Sequence, residues 1–211
     1  TGSGKTTTIY STMATINTIE RAVITVEDPV EYRNYLWKQI QVNEKRGFTF
    51  AKALKSILRH DPDIIFVGEI RDTETAQIAF DLANTGHLVF STLHANDTVK
   101  AIPRLTSLEV TPAMIESACI GIVAQRLART FCTCMGEGCQ ACNQTGYKGR
   151  TMISEHFPIM SDTYETLGLA LKGNIIDARK ELSKIIPDMK ADAEQKIRDR
   201  ITSQEEIDRV I

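Results

Sequence analysis

Long apolar runs are what this sequence most plainly lacks. Ile64-Ile65-Phe66-Val67 is typical of its longest, whereas a helix needs about 20 apolar residues to cross a bilayer. No positively charged start followed by an apolar stretch is present, so no signal peptide is expected. Charge of one sign is also missing: 25 Lys and Arg stand against 27 Asp and Glu, a net charge of −2. That balance excludes a protein held to nucleic acid by bulk charge. Aromatic residues make up only 6% and no Lys/Arg run occurs, which argues against a stacking surface for single strands. Internal repeats and low-complexity segments are absent. What is present is ordinary for a folded domain: 211 residues, 42% hydrophobic and 25% charged. This composition excludes intrinsic disorder and suits one domain with a small appendage.

Cysteine is scarce but unevenly placed. Four of the five cysteines fall between Cys132 and Cys142. In a chain of cytosolic character such a cluster points to a metal site rather than to a disulfide framework. Cys119, inside Ala118-Cys119-Ile120-Gly121-Ile122-Val123, is expected to be a small buried hydrophobe.

Up to about residue 130, strands and helices alternate. The spacing predicts a helix over 6–19, a buried strand over 22–26 and a small hairpin within 32–42. Thr49 is placed to cap a helix whose face is Phe50, Leu54, Ile57 and Leu58. A strand follows over 64–67. Asp72 or Thr73 then caps a helix with the face Ala76, Ala79, Phe80 and Ala83, stopped at Gly86. A third strand covers 88–90, and a helix over 98–108 is expected to be interrupted near Pro103. Buried strands joined by helical crossovers imply a mostly parallel sheet with helices on both faces, an α/β fold. Beyond residue 130 come a Cys/Gly-rich loop, a short strand near 151–153 and short helices near 161–172, 174–185, 188–199 and 203–211. The expected division is a core over 1–130, a four-cysteine loop over 131–150 and a helical subdomain over 151–211.

Three patterns carry chemistry. Thr1-Gly2-Ser3-Gly4-Lys5-Thr6 reads as the latter part of a phosphate-binding loop, G-x-x-x-x-G-K-[ST], whose first glycine would precede Thr1 by two residues. Glycines let backbone N–H groups face phosphates, and the following helix N-terminus favours anions. Gly2, Ser3, Gly4, Lys5, Thr6 and Thr7 are therefore the candidate nucleotide-binding residues, with Lys5 on the β/γ-phosphates and Thr6 on Mg²⁺. The alternative is a glycine-rich turn that merely caps a helix. Acidic residues follow two strands: Glu27-Asp28-Pro29-Val30-Glu31 after the first, and Glu69 after Ile64–Val67. Ligands of open α/β sheets sit at the carboxyl ends of strands. Glu69 fits a carboxylate that polarises Mg²⁺ or its waters. Glu31 fits one that orients or deprotonates the attacking water, with Glu27 next in line. His94, just past a further strand, fits a phosphate sensor, whereas His60 and His87 are expected to be structural.

These blocks match a family. Thr1-Gly2-Ser3-Gly4-Lys5-Thr6-Thr7-Thr8 resembles the Walker A motif of the secretion ATPase superfamily. Ile24 to Tyr32 resembles its Asp box, Leu58 to Asp72 its Walker B region, and Thr85-Gly86-His87 with Ser91 to Asp97 its His box. Within the superfamily the chain resembles the type II secretion and type IV pilus assembly ATPases, the general secretion pathway protein E family. The resemblance implies a RecA-like ATPase domain, ATP and Mg²⁺ as ligands, and a homo-hexameric ring. It implies a place on the cytoplasmic face of the inner membrane, with a platform protein and an adaptor as partners and no direct contact with nucleic acid. Turnover would drive assembly of pilin or pseudopilin subunits. An N-terminal domain of the family and the start of the phosphate loop do not appear in this sequence. The activity of the chain on its own is left open at this stage.

Cys132, Cys134, Cys139 and Cys142 have the composition of a closed structural zinc site. The assembly branch of the family carries four cysteines ahead of a similar Gly146-Tyr147-Lys148-Gly149-Arg150 segment. The first pair here is C-x-C, tighter than the usual C-x₂-C. Structural Zn²⁺ is nonetheless the expectation, against a reduced, metal-free loop. Two other functions compete with the ATP-driven assembly motor: a RecA-like nucleic-acid motor, disfavoured by the missing basic and aromatic surface, and a nucleotide-binding scaffold without hydrolysis, disfavoured by Lys5, Thr6, Glu31 and Glu69 occurring together.

Overall fold

The computed structural model describes residues 2–16 and 20–211. They form two compact units: Thr6–Ala95 with Lys100–Ile120, and Thr1–Lys5 with Asn96–Val99 and Gly121–Ile211.

The first unit is built on a four-stranded parallel sheet. Its strands are β1 (Val23–Glu27), β2 (Lys38–Gln41), β3 (Ile64–Val67) and β4 (Leu88–Ser91), in the order β2-β1-β3-β4. Every residue of β1 and β3 is buried. Strands buried along their whole length leave no face to water, so both sheet faces must be covered. The register aligns Val23 with Ile64 and Ile64 with Leu88, so β1, β3 and β4 end at one edge. The helix α1 (Lys5–Ala14) contributes Met13 to a core with Val23, Trp37, Ile64 and Phe66. The helix α2 (Phe50–Ile57) is capped by Thr49, whose side chain accepts from Lys52 N, and buries Phe50, Leu54 and Ile57. In α3 (Thr73–Asn84) the cap is Asp72, which accepts from Thr75 N, and Ala76, Ala79 and Phe80 are buried. The helices α4 (Thr98–Ser107) and α5 (Pro112–Ala118) follow.

Several local expectations are corrected. The helix expected over 6–19 ends at Ala14, residues 15 and 16 are non-helical, and residues 17–19 lie outside the described residues. The segment 32–42 is no hairpin: β2 runs parallel to β1, pairing Ile24 with Lys38, because residue alternation fixes a strand but not its direction. Leu58 is half exposed. The helix tightens there into a 3₁₀ turn over Leu58–His60, and the tighter winding carries residue 58 off the apolar face. Pro103 does not interrupt α4. It removes one backbone hydrogen bond, and the burial of Val99, Ala101, Ile102 and Leu105 offsets that loss. Cys119 is partly exposed rather than buried.

The second unit is organised by one long antiparallel hairpin. β5 (Gly121–Phe131) pairs with β6 (Tyr147–Pro158) along almost its whole length, with an irregularity between Arg129 and Phe131. The short strand expected near 151–153 is thus the middle of a 12-residue strand, and its partner carries no sequence signal strong enough to announce it. Four helices follow: α6 (Tyr164–Leu171), α7 (Ile175–Ile185), α8 (Met189–Arg198) and α9 (Gln204–Val210). Ala128 and Ile153 of the hairpin pack with Met189, Ala193 and Ile207 in a core of their own.

Candidate functional site

In the first unit, the C-terminal ends of β1, β3 and β4 gather the polar side chains. Glu27, the last residue of β1, is only 2% exposed. A carboxylate taken out of water is tolerated only when its lone pairs are filled. Thr25 Oγ1 donates to Glu27 Oε1 at 2.5 Å, Tyr10 Oη to both oxygens at 2.8 and 2.7 Å, and Gln39 Nε2 to Oε1 at 3.3 Å. Burial first, then the hydrogen bond and charge of Glu27, push the Tyr10 phenol well above its ordinary pKa. Tyr10 therefore stays a donor. Gln39 also donates to the Tyr32 carbonyl at 2.8 Å. This network ties α1 to β1, β2 and the acidic segment that follows β1. It leaves Glu27 a positioning residue with its oxygens occupied.

Glu31, four residues further on, is exposed and accepts from the Thr6 hydroxyl at 3.3 Å. The two residues assigned from sequence to Mg²⁺ and to the attacking water thus meet directly. Both offer hard oxygen atoms open to solvent, a donor set that suits Mg²⁺. Glu69 sits two residues past β3, across Gly68, with its side chain 14% exposed. Arg71 Nη2 pairs with its Oε1, and His94 Nε2 lies 3.4 Å from its Oε2. Two oxygens of one carboxylate are thus held by groups from the ends of two adjacent strands. The hydrogen bond that Arg71 donates to Glu69 raises the Arg71 pKa further, so the guanidinium is a permanent positive charge. His87, at the start of β4, instead bonds Thr85 Oγ1 and the Leu82 carbonyl in the turn after α3.

Gly2, Ser3, Gly4 and Lys5 belong to the second unit. Gly2 and Gly4 have φ of +81° and +86°, the left-handed region that glycine enters freely. A Cβ on Gly4 would also stand 3.2 Å from Gln125 Nε2 and 3.3 Å from Leu127 Cδ1. Gln125 Nε2 donates to the Ser3 carbonyl at 2.8 Å. Thr7, on α1, is exposed.

The thiolate cluster lies beyond the tip of the β5–β6 hairpin. The sulfurs of Cys132, Cys134, Cys139 and Cys142 all lie within 4.8 Å of one another. Cys132–Cys139 and Cys134–Cys142 are 3.8 Å apart, and Cys139–Cys142 are 3.7 Å apart. Four sulfurs at about 2.3 Å from one Zn²⁺ would be separated by about 3.8 Å along each tetrahedron edge. The spacing fits a metal-bound set, so the cluster could hold a metal ion. The loop closes this tightly because Gly136 and Gly146 touch back to back: a Cβ on Gly146 would fall 2.5 Å from the Gly136 carbonyl oxygen. At Cys142 burial raises the thiol pKa, but backbone N–H groups of Cys139 and Gly146, each 3.2 Å from the sulfur, bring it down to about 6. The C-x-C spacing does not keep Cys132 and Cys134 from joining the other two.

The structure thus joins Thr6 with Glu31, Glu69 with His94, and the four cysteines. Sequence reading gave no role to three residues: Arg71 on Glu69, Tyr10 beneath Glu27, and Gln125 on the Ser3 carbonyl of the candidate phosphate loop. Arg71 stands two residues after Glu69, and that was its only signal.

The profile of the family described as Type II/IV secretion system protein matches residues 1–209. Type II secretion system protein HxcR of Pseudomonas aeruginosa is 47% identical over 100% of this chain, which covers 46% of that protein. Type IV pilus assembly ATPase PilB of Thermus thermophilus is 45% identical over 74% of the chain and 21% of its own length. The chain spans about half the length of the type II relatives it matches. Among solved structures, the pilus retraction motor PilT with bound ADP superposes with a TM-score of 0.76 at 30% identity, covering 97% of this chain and 57% of that one. The ATPase DotB of Legionella pneumophila shares the fold, with a TM-score of 0.74 at 24% identity over 98% of this chain and 56% of that one.

Proposed function

Because the chain belongs to the type II/IV secretion system protein family, we propose that it is an ATP-hydrolysing motor subunit whose turnover drives assembly of pilin or pseudopilin subunits, in type II secretion or in type IV pilus biogenesis. The observation that carries this reading is the Glu69 carboxylate, held by Arg71 and His94 at the sheet edge where the Thr6–Glu31 pair also lies. Relatives named as type II secretion and pilus assembly ATPases support it.

In this reading Lys5 and the backbone amides of Gly2 to Lys5 hold the β- and γ-phosphates. Thr6 would hold Mg²⁺, which when bound supplies positive charge to the phosphate oxygens. Glu31 releases the Thr6 hydroxyl and takes up the attacking water, accepting its proton as the phosphorus–oxygen bond breaks. Glu69 orients the waters on the metal side, and His94, in contact with it, reports the presence of the γ-phosphate to the segment beyond β4. Glu27 serves as the buried anchor of this edge. The functional division is a nucleotide core over 1–130, a four-cysteine loop over 131–150 holding structural Zn²⁺, and a C-terminal region over 151–211. The working assembly is a homo-hexamer on the cytoplasmic face of the inner membrane, engaging a platform protein and an adaptor. Among the described residues no helix is long and apolar enough to cross a membrane.

The test is nucleotide binding and phosphate release measured in parallel. Lys5→Ala should abolish Mg-ATP binding. Glu31→Ala and Glu69→Ala should retain binding and lose roughly 10²-fold or more in turnover. Unchanged turnover in the Glu31 variant would remove Glu31 from the reaction.

A further inference from the structure

We propose that Gln125 is a positioning residue for nucleotide binding: its side-chain amide, by holding the Ser3 carbonyl, aims the Gly4 N–H at the bound phosphates. The inference rests on the nucleotide-site reading and deepens it.

The argument starts from the peptide plane. In a trans peptide, the C=O of one residue and the N–H of the next lie in one plane and point in opposite directions. Whatever fixes the direction of the Ser3 carbonyl therefore fixes that of the Gly4 N–H, reversed. Gln125 Nε2 donates to Ser3 O at 2.8 Å, so the Gly4 N–H points away from β5. It stands immediately before α1, where backbone N–H groups have no intrahelical partner, and no acceptor is paired with it among the described residues.

A glycine peptide at φ of +86° can rotate between orientations at little steric cost. Left alone, it would present either its carbonyl or its amide to an anion. The site is built to prevent this. Gln125 is 6% exposed, so water cannot easily replace its hydrogen bond. Leu127, two residues on and on the same face of β5, closes the space beside Gly4, where a Cβ would meet Leu127 Cδ1 at 3.3 Å. A polar side chain buried on a strand, with its amide nitrogen on a loop carbonyl, costs desolvation unless the bond is made. The same bond pre-orients the loop before nucleotide arrives, which lowers the ordering cost of binding.

The test uses three variants in the full protein: Gln125→Leu, which keeps the volume and removes the donor; Gln125→Glu, which offers only acceptors when ionised but a donor when protonated; and Lys5→Ala. Mg-ATP affinity is measured by calorimetry at pH 8 and pH 5.5, each value relative to wild type at the same pH, with thermal midpoints of the nucleotide-free proteins alongside. Gln125→Leu is expected to weaken affinity about tenfold at both pH values, the worth of one buried hydrogen bond. Gln125→Glu is expected to lose at least as much at pH 8 and to recover toward wild type at pH 5.5, as the introduced carboxyl takes up the proton it then donates. Affinity within twofold of wild type for both Gln125 variants at pH 8, while Lys5→Ala abolishes binding, overturns the clamp and leaves the site reading intact. Losses that track the thermal midpoint and show no recovery in acid also overturn it, since they report packing alone. Undiminished binding in Lys5→Ala overturns the site reading itself.

Discussion

Replacing Glu206 by Gln should destabilise the second unit by up to about 3 kcal/mol at neutral pH and by almost nothing near pH 2. The carboxylate is 1% exposed. It accepts from the Arg129 backbone N at 2.9 Å, from Arg129 Nε and Nη2 at 2.9 and 2.7 Å, and from Arg209 Nε at 3.1 Å and Nη2. The Arg209 contact, with those of Arg129, outweighs the opposing effect of burial and holds the carboxyl at a pKa of about 2 in place of 4.5. A difference of roughly 2.5 units at about 1.36 kcal/mol each gives the 3 kcal/mol. Because the folded-state pKa is the lower one, this stability is complete above pH 4.5 and is lost as pH falls through that value toward 2. The two arginines are 46% and 56% exposed, so the energy resides in the buried acid rather than in the surface charges. Scanning calorimetry of wild type and Glu206→Gln at pH 7, 5 and 3 measures it. The expected loss is roughly 6–12 °C at pH 7 for a chain of this size, with the gap nearly unchanged at pH 5 and less than half as large at pH 3. A gap that does not depend on pH, or one under 2 °C at pH 7, refutes the argument.

Two other perturbations follow from the same kind of accounting. Tyr10→Phe removes the donor that spans both Glu27 oxygens and should cost about 2 kcal/mol of stability, the usual effect of an incompletely paired buried carboxylate; equilibrium urea unfolding followed by Trp37 fluorescence reads it, and a cost below 0.5 kcal/mol would show that Thr25 and Gln39 suffice. Reduced wild-type protein should carry about one zinc per chain by elemental analysis, lost in Cys139→Ser, with little change in ATP affinity of the protein that remains folded; metal-free wild type would leave the thiol spacing without a metal-binding role.

The sheet and its chemistry were legible because burial leaves a strong imprint on sequence. Val23 to Val26, whose one hydroxyl, on Thr25, donates to Glu27, and Ile64 to Val67 are otherwise apolar because they lie between two layers, and Thr49 and Asp72 mark helix starts by chemistry that few residues share. Thr6 became a candidate because it ends the Gly2-Ser3-Gly4-Lys5-Thr6 pattern at the start of α1, and Glu31, Glu69 and His94 because each follows a strand whose end could be read. The hairpin was not legible. Gly121 to Phe131 mixes alanine, arginine and glutamine, since one of its faces meets helices and the other meets a loop, and neither requires a continuous apolar stripe. Gln125 and Glu206 escaped for a related reason: a buried polar residue is explained by its partner, and the partner lies 122 and 77 positions away. The direction of β2 depended likewise on what Gln39 bonds, not on its neighbours in the chain.

The two long strands of the second unit have a mechanical consequence. Side chains alternate along β5, so Gln125 and Leu127 face the phosphate loop while Ala128 faces Met189 and Ile207. Sliding β5 by a single residue would reverse that assignment, delivering Arg126 and Ala128 where Gln125 and Leu127 now stand. The burial of Ala128 and Ile153 against Met189, Ala193 and Ile207 opposes such a slip. The four-sulfur cluster pins the same register from seven residues beyond Gln125, about 23 Å along the strand, because Cys132 directly follows β5, bonds through its N–H to the Gly146 carbonyl, and Cys142 lies only five residues ahead of β6. The register is therefore held at two places, so loss of the four-sulfur cluster alone would still leave Gln125 and Leu127 facing Ser3 and Gly4.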